Sequence, residues 1–267
     1  MNILINGINS FTGIKICTQL INEGHTVIAL SSNDVTKLTD FQLKNIGDLS
    51  LHENFHNIKV EYNKSDIEKI RQKEISIDAF IIHGFNVGNY KDKSINPFSI
   101  AEESLGWLKK LPEVLDSKGC KLVAYTSTYF ENHDNKYQTP YSIAKSTGWL
   151  YLKHIFSDFN LIKYLFPNPF GIGESQRLTS ALLKRWIVDK EVFKIEYPNL
   201  IRDNIPVNFL IDHYIKLILD KSNKKSNEET IYSPSYYIES NLDFVSRLSN
   251  KVKYYDNNLK CIIEVGK

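Results

Sequence analysis

The chain has 267 residues, 42% of them hydrophobic and 24% charged, with a formal net charge of +2. That length suits one body with an attached lobe, and the ordinary composition excludes a disordered or fibrous chain. The near-neutral charge offers no general attraction to nucleic acid or to a membrane surface. Cys17, Cys120 and Cys261 are odd in number and far apart. They therefore read as reduced thiols of a cytoplasmic protein, with no disulfide framework and no metal site expected. No apolar run nears the ~20 residues of a membrane span. Asn2, Asn6 and Asn9 break up the first apolar segment, which argues against a signal peptide.

Asn2–Asn6 (NILIN) is a short apolar run ending at Gly7 and predicts a buried strand. Ile14, Cys17, Thr18 and Ile21 then fall on one helical face, with Gly24 placed to cap that helix. HTVIAL (25–30) predicts the second strand, which completes a βαβ unit with parallel strands. NIKVEY (57–62) predicts a strand, 66–73 a short helix, and IDAFIIH (77–83) a central strand. Pro97–Ser117 predicts one helix with Leu105, Leu108, Leu111 and Leu115 on a common face. KLVAY (121–125) is the next strand. Thr139-Pro140 has the form of an N-cap before a first-turn proline, opening a helix to about Phe159. LIKYLF (161–166) predicts another strand.

Beyond Pro167 the texture changes. PNPFGIG is turn-rich, SALLKRWIV predicts a helix, and 205–208 is a brief extended piece before the helix FLIDHYIKLIL. Residues 220–230 read as a polar surface loop. The last forty residues hold one more helix and two short strands. The alternation predicts a doubly wound parallel α/β core over 1–165 and a smaller C-terminal α/β lobe over 166–267, partly interleaved with the core. Ligands are expected at the carboxyl ends of the strands, near Gly7, Ser31, His83, Thr126 to Thr128 and Phe166 to Asn168.

Three stretches carry chemistry. In GINSFTG (7–13), Gly7 and Gly13 bracket a strand-to-helix turn, and Ser10 stands where a pyrophosphate loop has its middle glycine. Alone, this loop serves either as an anion cradle, with Ser10 touching the phosphates, or as a plain turn. Tyr141 and Lys145, four apart, share a helix face, where an ammonium and the helix N-terminus both favour a phenolate. A tyrosine so placed can protonate a carbonyl oxygen. With 15 tyrosines in the chain the spacing also arises by chance, so its position after the fifth core strand carries the weight. Thr126, Ser127 and Thr128 end that strand with hydroxyls able to orient a substrate carbonyl, or simply with β-branched residues.

Taken together, G7-x-x-S10-x-x-G13, IIHG (81–84), S127-T128, Y141-S-I-A-K145, N168-P-F-G-I-G173 and R202-D-N-I-P-V207 resemble the extended short-chain dehydrogenase/reductases that act on nucleotide-activated sugars. The resemblance spans about residues 1–215 and implies a Rossmann core. It implies Tyr141 as catalytic acid/base and Lys145 as its tuner and ribose ligand. Thr128 completes the triad, with Ser127 as the alternative. Gly7, Ser10, Phe11, Thr12, Gly13, Ser31, Ser32, His83, Gly84 and Pro167 fall to the cofactor. Asn168, Arg202 and, as a weaker second arginine, Arg177 fall to the substrate with Thr128. A solvated ion pair is the other reading of Arg202-Asp203.

Departures narrow the chemistry. Tyr129 and Phe130 follow Thr128 where 4,6-dehydratases have an Asp-Glu pair, and no cysteine stands at that strand end for epimerisation at C3 and C5. The 128–141 loop is short for a sugar epimerase. Leu165 replaces a common arginine. The expected activity is reduction of a nucleotide-diphosphate-linked 4-keto-deoxysugar in surface polysaccharide precursor synthesis. The alternatives are a C4 epimerase with bound NAD and a non-catalytic dinucleotide sensor. The second strand ends Leu30-Ser31-Ser32-Asn33, without a carboxylate for the adenosine ribose. Lys37 is within reach of a 2′-phosphate and Asp34 falls late, so NADP(H) is favoured and NAD(H) is the alternative. A homodimer through the 97–117 and 140–159 helices is the family's expectation.

Overall fold

The computed structural model describes residues 1–32, 38–86, 92, 94–132, 138–174, 177–222 and 227–266. Two compact units emerge. The first comprises Met1–Phe166 and Ile211–Ser233, the second Pro167–Leu210 and Pro234–Lys267.

In the first unit the described residues form a seven-stranded, all-parallel sheet. Its strands are β1 (Asn2–Asn6), β2 (Thr26–Ser32), β3 (Phe55–Val60), β4 (Ala79–Ile82), β5 (Leu122–Thr128), β6 (Asn160–Phe166) and, from the returning segment, β10 (Glu229–Tyr232). They lie in the order β10-β6-β5-β4-β1-β2-β3. The chain winds outward from β1 through β2 to β3, then restarts at β4 and winds the other way. The order thus reverses between β1 and β4, which is where an open α/β sheet leaves its ligand crevice. Ile3, Leu4, Ile5 and all of β4 are fully buried, as parallel strands covered on both faces demand.

Helices α1 (Phe11–Asn22), α2 (Asp40–Ser50), α3 (Lys64–Arg71), α4 (Pro97–Leu105), α5 (Leu111–Ser117) and α6 (Pro140–Ile155) flank this sheet. Gly24, at φ +82°, closes α1: its N–H donates to Ile21 O and that of His25 to Leu20 O, both carbonyls of the last turn. The single helix expected over 97–117 is broken. Gly106–Lys110 tightens into a 3₁₀ turn between α4 and α5. Pro112, in the first turn of α5, has no N–H to continue the ladder and its ring opposes the carbonyl of Leu108. The four leucines are buried all the same. The α6 start follows the sequence expectation. Thr139 caps it with a reciprocal Thr139–Ser142 box, and Pro140 occupies the first turn. The helix stops at Ile155, short of Phe159.

The second unit holds β7 (Asn168–Phe170), β8 (Phe193–Ile195), β9 (Ile201–Pro206), β11 (Tyr237–Ser240) and β12 (Ile263–Val265), with α7 (Leu178–Leu183) and α9 (Asn241–Tyr255). Strands pair as β11-β9-β7 and β12-β8. Helix α8 (Val207–Ser222) contributes its first turn to this unit and the rest to the first. The core of the second unit gathers Leu182, Trp186, Ile195, Phe244, Val245 and Cys261. Segment 168–170, read as turn from the sequence, is a strand, and β10 begins at Glu229, inside the 220–230 stretch read as loop. All three cysteines are buried as free thiols.

Candidate active site

The glycine turn sits at the switch point. Asn6, 2% exposed, ends β1, and its Oδ1 accepts from the N–H groups of His83 (2.7 Å) and Gly84 (2.8 Å). This side chain carries the β1–β4 pairing one step past the end of the ladder. Gly7 follows at φ +79°, so close to the other strand that an added Cβ would lie 2.3 Å from Gly84 N. A Cβ on Gly13 would lie 2.2 Å from Gly7 O, so α1 packs directly on the turn. Gly7→Ala is expected to cost about 3 kcal/mol or more, from left-handed strain plus overpacking. Urea denaturation measures it.

Ser10 is the N-cap of α1. Its Oγ accepts from Gly13 N–H at 2.9 Å and donates to Gly7 O at 2.9 Å. The hydroxyl proton is thus turned back into the loop. The helix N-terminus itself remains the anion-favouring element. Ser10→Ala should destabilise by about 1 kcal/mol, and Ser10→Gly by only a few tenths, read as shifts in the thermal midpoint.

His83 links this loop to β5. Its Nε2 lies 2.8 Å from Thr12 Oγ1 and 3.1 Å from Ser10 Oγ, and its Nδ1 lies 2.9 Å from Thr126 Oγ1. Since the Ser10 proton goes to Gly7, Ser10 can only accept, so the Nε2–H tautomer fits best. Nδ1 then accepts from Thr126, whose oxygen stands 3.1 Å from Tyr214 OH. Burial, and then the Lys145 charge, push the imidazole down to about 3, so it stays neutral. An unfolded histidine binds its proton nearer 6.5, so this site supports folding above that pH and loses its contribution as pH falls toward 3.

The second cluster lies where α6 meets β5. Lys145 is 2% exposed, and its Nζ donates to Thr126 O at 2.7 Å. Aromatic rings enclose the ammonium: Phe85 at 4.3 Å, Tyr125 at 4.8 Å and Tyr141 at 5.7 Å from Nζ to ring centroid. Burial lowers its pKa from 10.5 to about 7, Glu131 opposes that shift, and Lys163 adds to it. Tyr141 is half-buried and edge-on to Phe85 at 6.0 Å. Along β5, residues alternate in direction: Thr126 and Thr128 belong to one face, Tyr125 and Ser127 to the other. The Ser127 hydroxyl is bound to Glu131, whereas Thr128 Oγ1 accepts a long 3.4 Å bond from Phe130 N.

At the end of β2, Ser31 is buried and donates to Asn57 Oδ1 at 2.7 Å. Ser32 is half-buried, while Asn33, Asp34 and Lys37 lie outside the described residues. Phe11 and Thr12 form the first turn of α1, with Thr12 buried.

The remaining predicted residues belong to the second unit. Pro167 is buried at its start. Asn168 Nδ2 donates to Asn204 Oδ1 at 2.6 Å. The exposed Arg177 reaches Pro169 O at 3.5 Å, and Arg202 is half-buried opposite Glu239 in the β9–β11 pairing. Sequence reading missed Asn6, Phe85, Tyr125, Tyr214, Glu131 and Lys163. Only Asn6, a polar residue ending an apolar strand, left a signal. Among the described residues no group of three His, Cys, Asp or Glu is placed to hold a metal ion, and no helix is long and apolar enough to cross a membrane.

The strand order, reversing between β1 and β4, and the glycine turn at that switch point form a Rossmann-type core. The sequence profile of the NAD dependent epimerase/dehydratase family matches residues 3–231. The chain belongs to that family. No curated protein sequence matches it. Among solved structures, UDP-glucuronic acid 4-epimerase from Bacillus cereus, in complex with UDP-glucuronic acid and NAD, is similar with a TM-score of 0.73 and 17% identity. The similarity covers 100% of this chain and 86% of that one. UDP-glucose 4-epimerase from Bifidobacterium longum, in complex with NAD+ and UDP, gives 0.74 and 14% over the same shares, 100% and 86%. UDP-glucose-4-epimerase from Stenotrophomonas maltophila with bound NAD gives 0.73 and 13%, again over 100% and 86%. At these identities the likeness speaks for the fold.

Proposed function

We propose that this protein transfers hydride to the keto carbon of a nucleotide-diphosphate-linked 4-keto-sugar, as a reductase supplying a surface polysaccharide precursor. The observation that carries the reading is Lys145, buried on one helix face with Tyr141 and held to the β5 carbonyl of Thr126. Such an ammonium has few structural reasons to be buried and one chemical reason, to favour phenolate on Tyr141.

The first unit fits a dinucleotide. Backbones approach closely at Gly7, Gly13 and Gly84, and the α1 N-terminus opens at the switch point. Gly7 to Gly13 would hold the pyrophosphate, and Lys145 the nicotinamide ribose. When bound, the nicotinamide supplies the hydride. Tyr141 gives its proton to the substrate oxygen. Thr128 orients that oxygen, because Ser127 is committed to Glu131. Within the second unit, Asn168 and Arg202 are the proposed diphosphate ligands.

A C4 epimerase is the second reading, favoured by the 4-epimerases among the structural neighbours. Their NAD also weighs toward NAD(H). Against NADP(H), the hydroxyl of Ser31 is already given to Asn57. The deciding experiment incubates the purified protein with 4-keto and 4-hydroxy nucleotide sugars, with and without NADH or NADPH. Stoichiometric loss of reduced-nicotinamide absorbance with keto substrates supports the reductase. Interconversion of 4-hydroxy epimers without added cofactor supports the epimerase. Thermal shifts with each dinucleotide rank the cofactors. Turnover of none, with dinucleotide binding intact, would mean a sensor.

A further inference from the structure

The Glu131–Lys163 ion pair has no part in the reading above. Their side chains are 5% and 10% exposed. A buried ion pair is a weak source of stability, since apolar residues of the same volume often serve as well. What sets this pair apart is what else the carboxylate holds. Glu131 accepts from the Ser127 hydroxyl, and from the Ser146 hydroxyl at 2.7 Å. Ser127 follows Thr126, the residue whose carbonyl receives the Lys145 ammonium; Ser146 follows Lys145 itself. One carboxylate therefore ties β5 to α6 in parallel with the Lys145–Thr126 bond. Lys163, on β6 beside Tyr125 in register, supplies the counter-charge.

We propose that Glu131 is the positioning residue of Lys145: it clamps α6 to β5 beside the lysine, and its charge, balanced by Lys163, sets the field in which that ammonium works. The proposal rests on the reading of Lys145 as partner of Tyr141. The groups facing Lys145 are Tyr141 on its own helix, Tyr125 on β5, Glu131 in the turn after β5, Lys163 on β6 and His83 at the end of β4. Of the charged ones, Glu131 favours the ammonium and Lys163 disfavours it.

The test is an NMR titration of lysine side chains, with the Lys145 signal assigned by its loss in Lys145→Met. Glu131→Gln keeps the side-chain shape and one acceptor oxygen and removes the charge; its amide nitrogen donates to one serine hydroxyl where the carboxylate accepted. It should lower the Lys145 midpoint by about one pH unit. Lys163→Met should raise it by a similar step. Glu131→Gln/Lys163→Met, which leaves no unpaired charge behind, should return it to the native midpoint. An unmoved midpoint in all three, or single variants that move in the same direction as general loosening would, overturns the proposal. Where Glu131→Gln does not fold, Glu131→Asp withdraws the charge by one methylene and should lower the midpoint by a smaller step; no movement overturns the proposal equally. Turnover sorts the two readings. Midpoints that move as expected, in a native protein that turns over no keto-sugar nucleotide, leave the clamp standing and remove the enzymatic reading. Turnover with unmoved midpoints removes the clamp alone.

Discussion

Tyr141→Phe is expected to lower turnover by about 10²- to 10⁴-fold, with dinucleotide affinity and thermal midpoint close to native. The substitution removes one oxygen and keeps the ring, so the edge-on contact with Phe85 survives. The start of α6 does not depend on it, because Thr139, Pro140 and Ser142 form the cap. The loss should therefore fall on the proton, which moves only in the transition state. Accordingly kcat and kcat/KM should fall together, by about 3–5 kcal/mol of barrier. A rise in KM alone would make Tyr141 a binding group. A variant within tenfold of native turnover would remove Tyr141 as the acid and leave the Thr128 hydroxyl as the next group to test.

The elements that sequence exposes here are those whose signal is local. NILIN followed by Gly7 marks β1, because apolar residues on both faces of a strand leave few alternatives. Thr139-Pro140 marks the start of α6, because cap chemistry is written in adjacent residues. The 97–117 segment shows the limit: its leucine face was legible, but Pro112 and the 3₁₀ turn over Gly106–Lys110 break the helix without disturbing the face. Helix α2 was missed in the sequence: it has no apolar period, since Leu49 is its only buried residue, and its Thr39–Gln42 capping box went unread. Strand β10 was hidden inside a polar run, because it joins the sheet by backbone pairing with β6 and buries little of its own.

The site divides along the same line. Gly7, Tyr141 and Lys145 could be read because their spacing is local and chemically peculiar. The surroundings of Lys145 could not. Phe85, Tyr125, Glu131 and Lys163 come from four places in the chain, and nothing in their spacing brings them together before the sheet does. Ser10 is the intermediate case. Its position was visible, but the direction of its hydroxyl depended on Gly7 O and His83, both fixed by tertiary packing.

Lys145→Met should abolish the proposed activity and stabilise the protein, with a pH dependence that identifies the cause. In the folded protein burial holds the ammonium at about 7, against 10.5 for an ordinary lysine. Between those values the unfolded chain carries a proton that the folded protein lacks, so stability contributed at this site rises with pH from about 7 to 10.5. Below about 7 the lysine is charged in both states and folding bears the full cost of burying it. That cost is several kcal/mol on the ~1.4 kcal/mol per pH unit scale. Methionine removes it, at the expense of the Thr126 carbonyl partner, worth about 1–3 kcal/mol. The cost of burying the charge is the larger of the two, so the variant gains. The gain in thermal midpoint of Lys145→Met over native should be largest near pH 6 and should shrink toward pH 10. Taking the difference between two proteins at each pH cancels the other titrating groups they share. A constant difference across that range would show that Lys145 is not held against its charge. An increase toward pH 10 would show that neighbouring groups stabilise the ammonium by more than burial opposes it. In either case the ground for assigning Lys145 a chemical role would be gone.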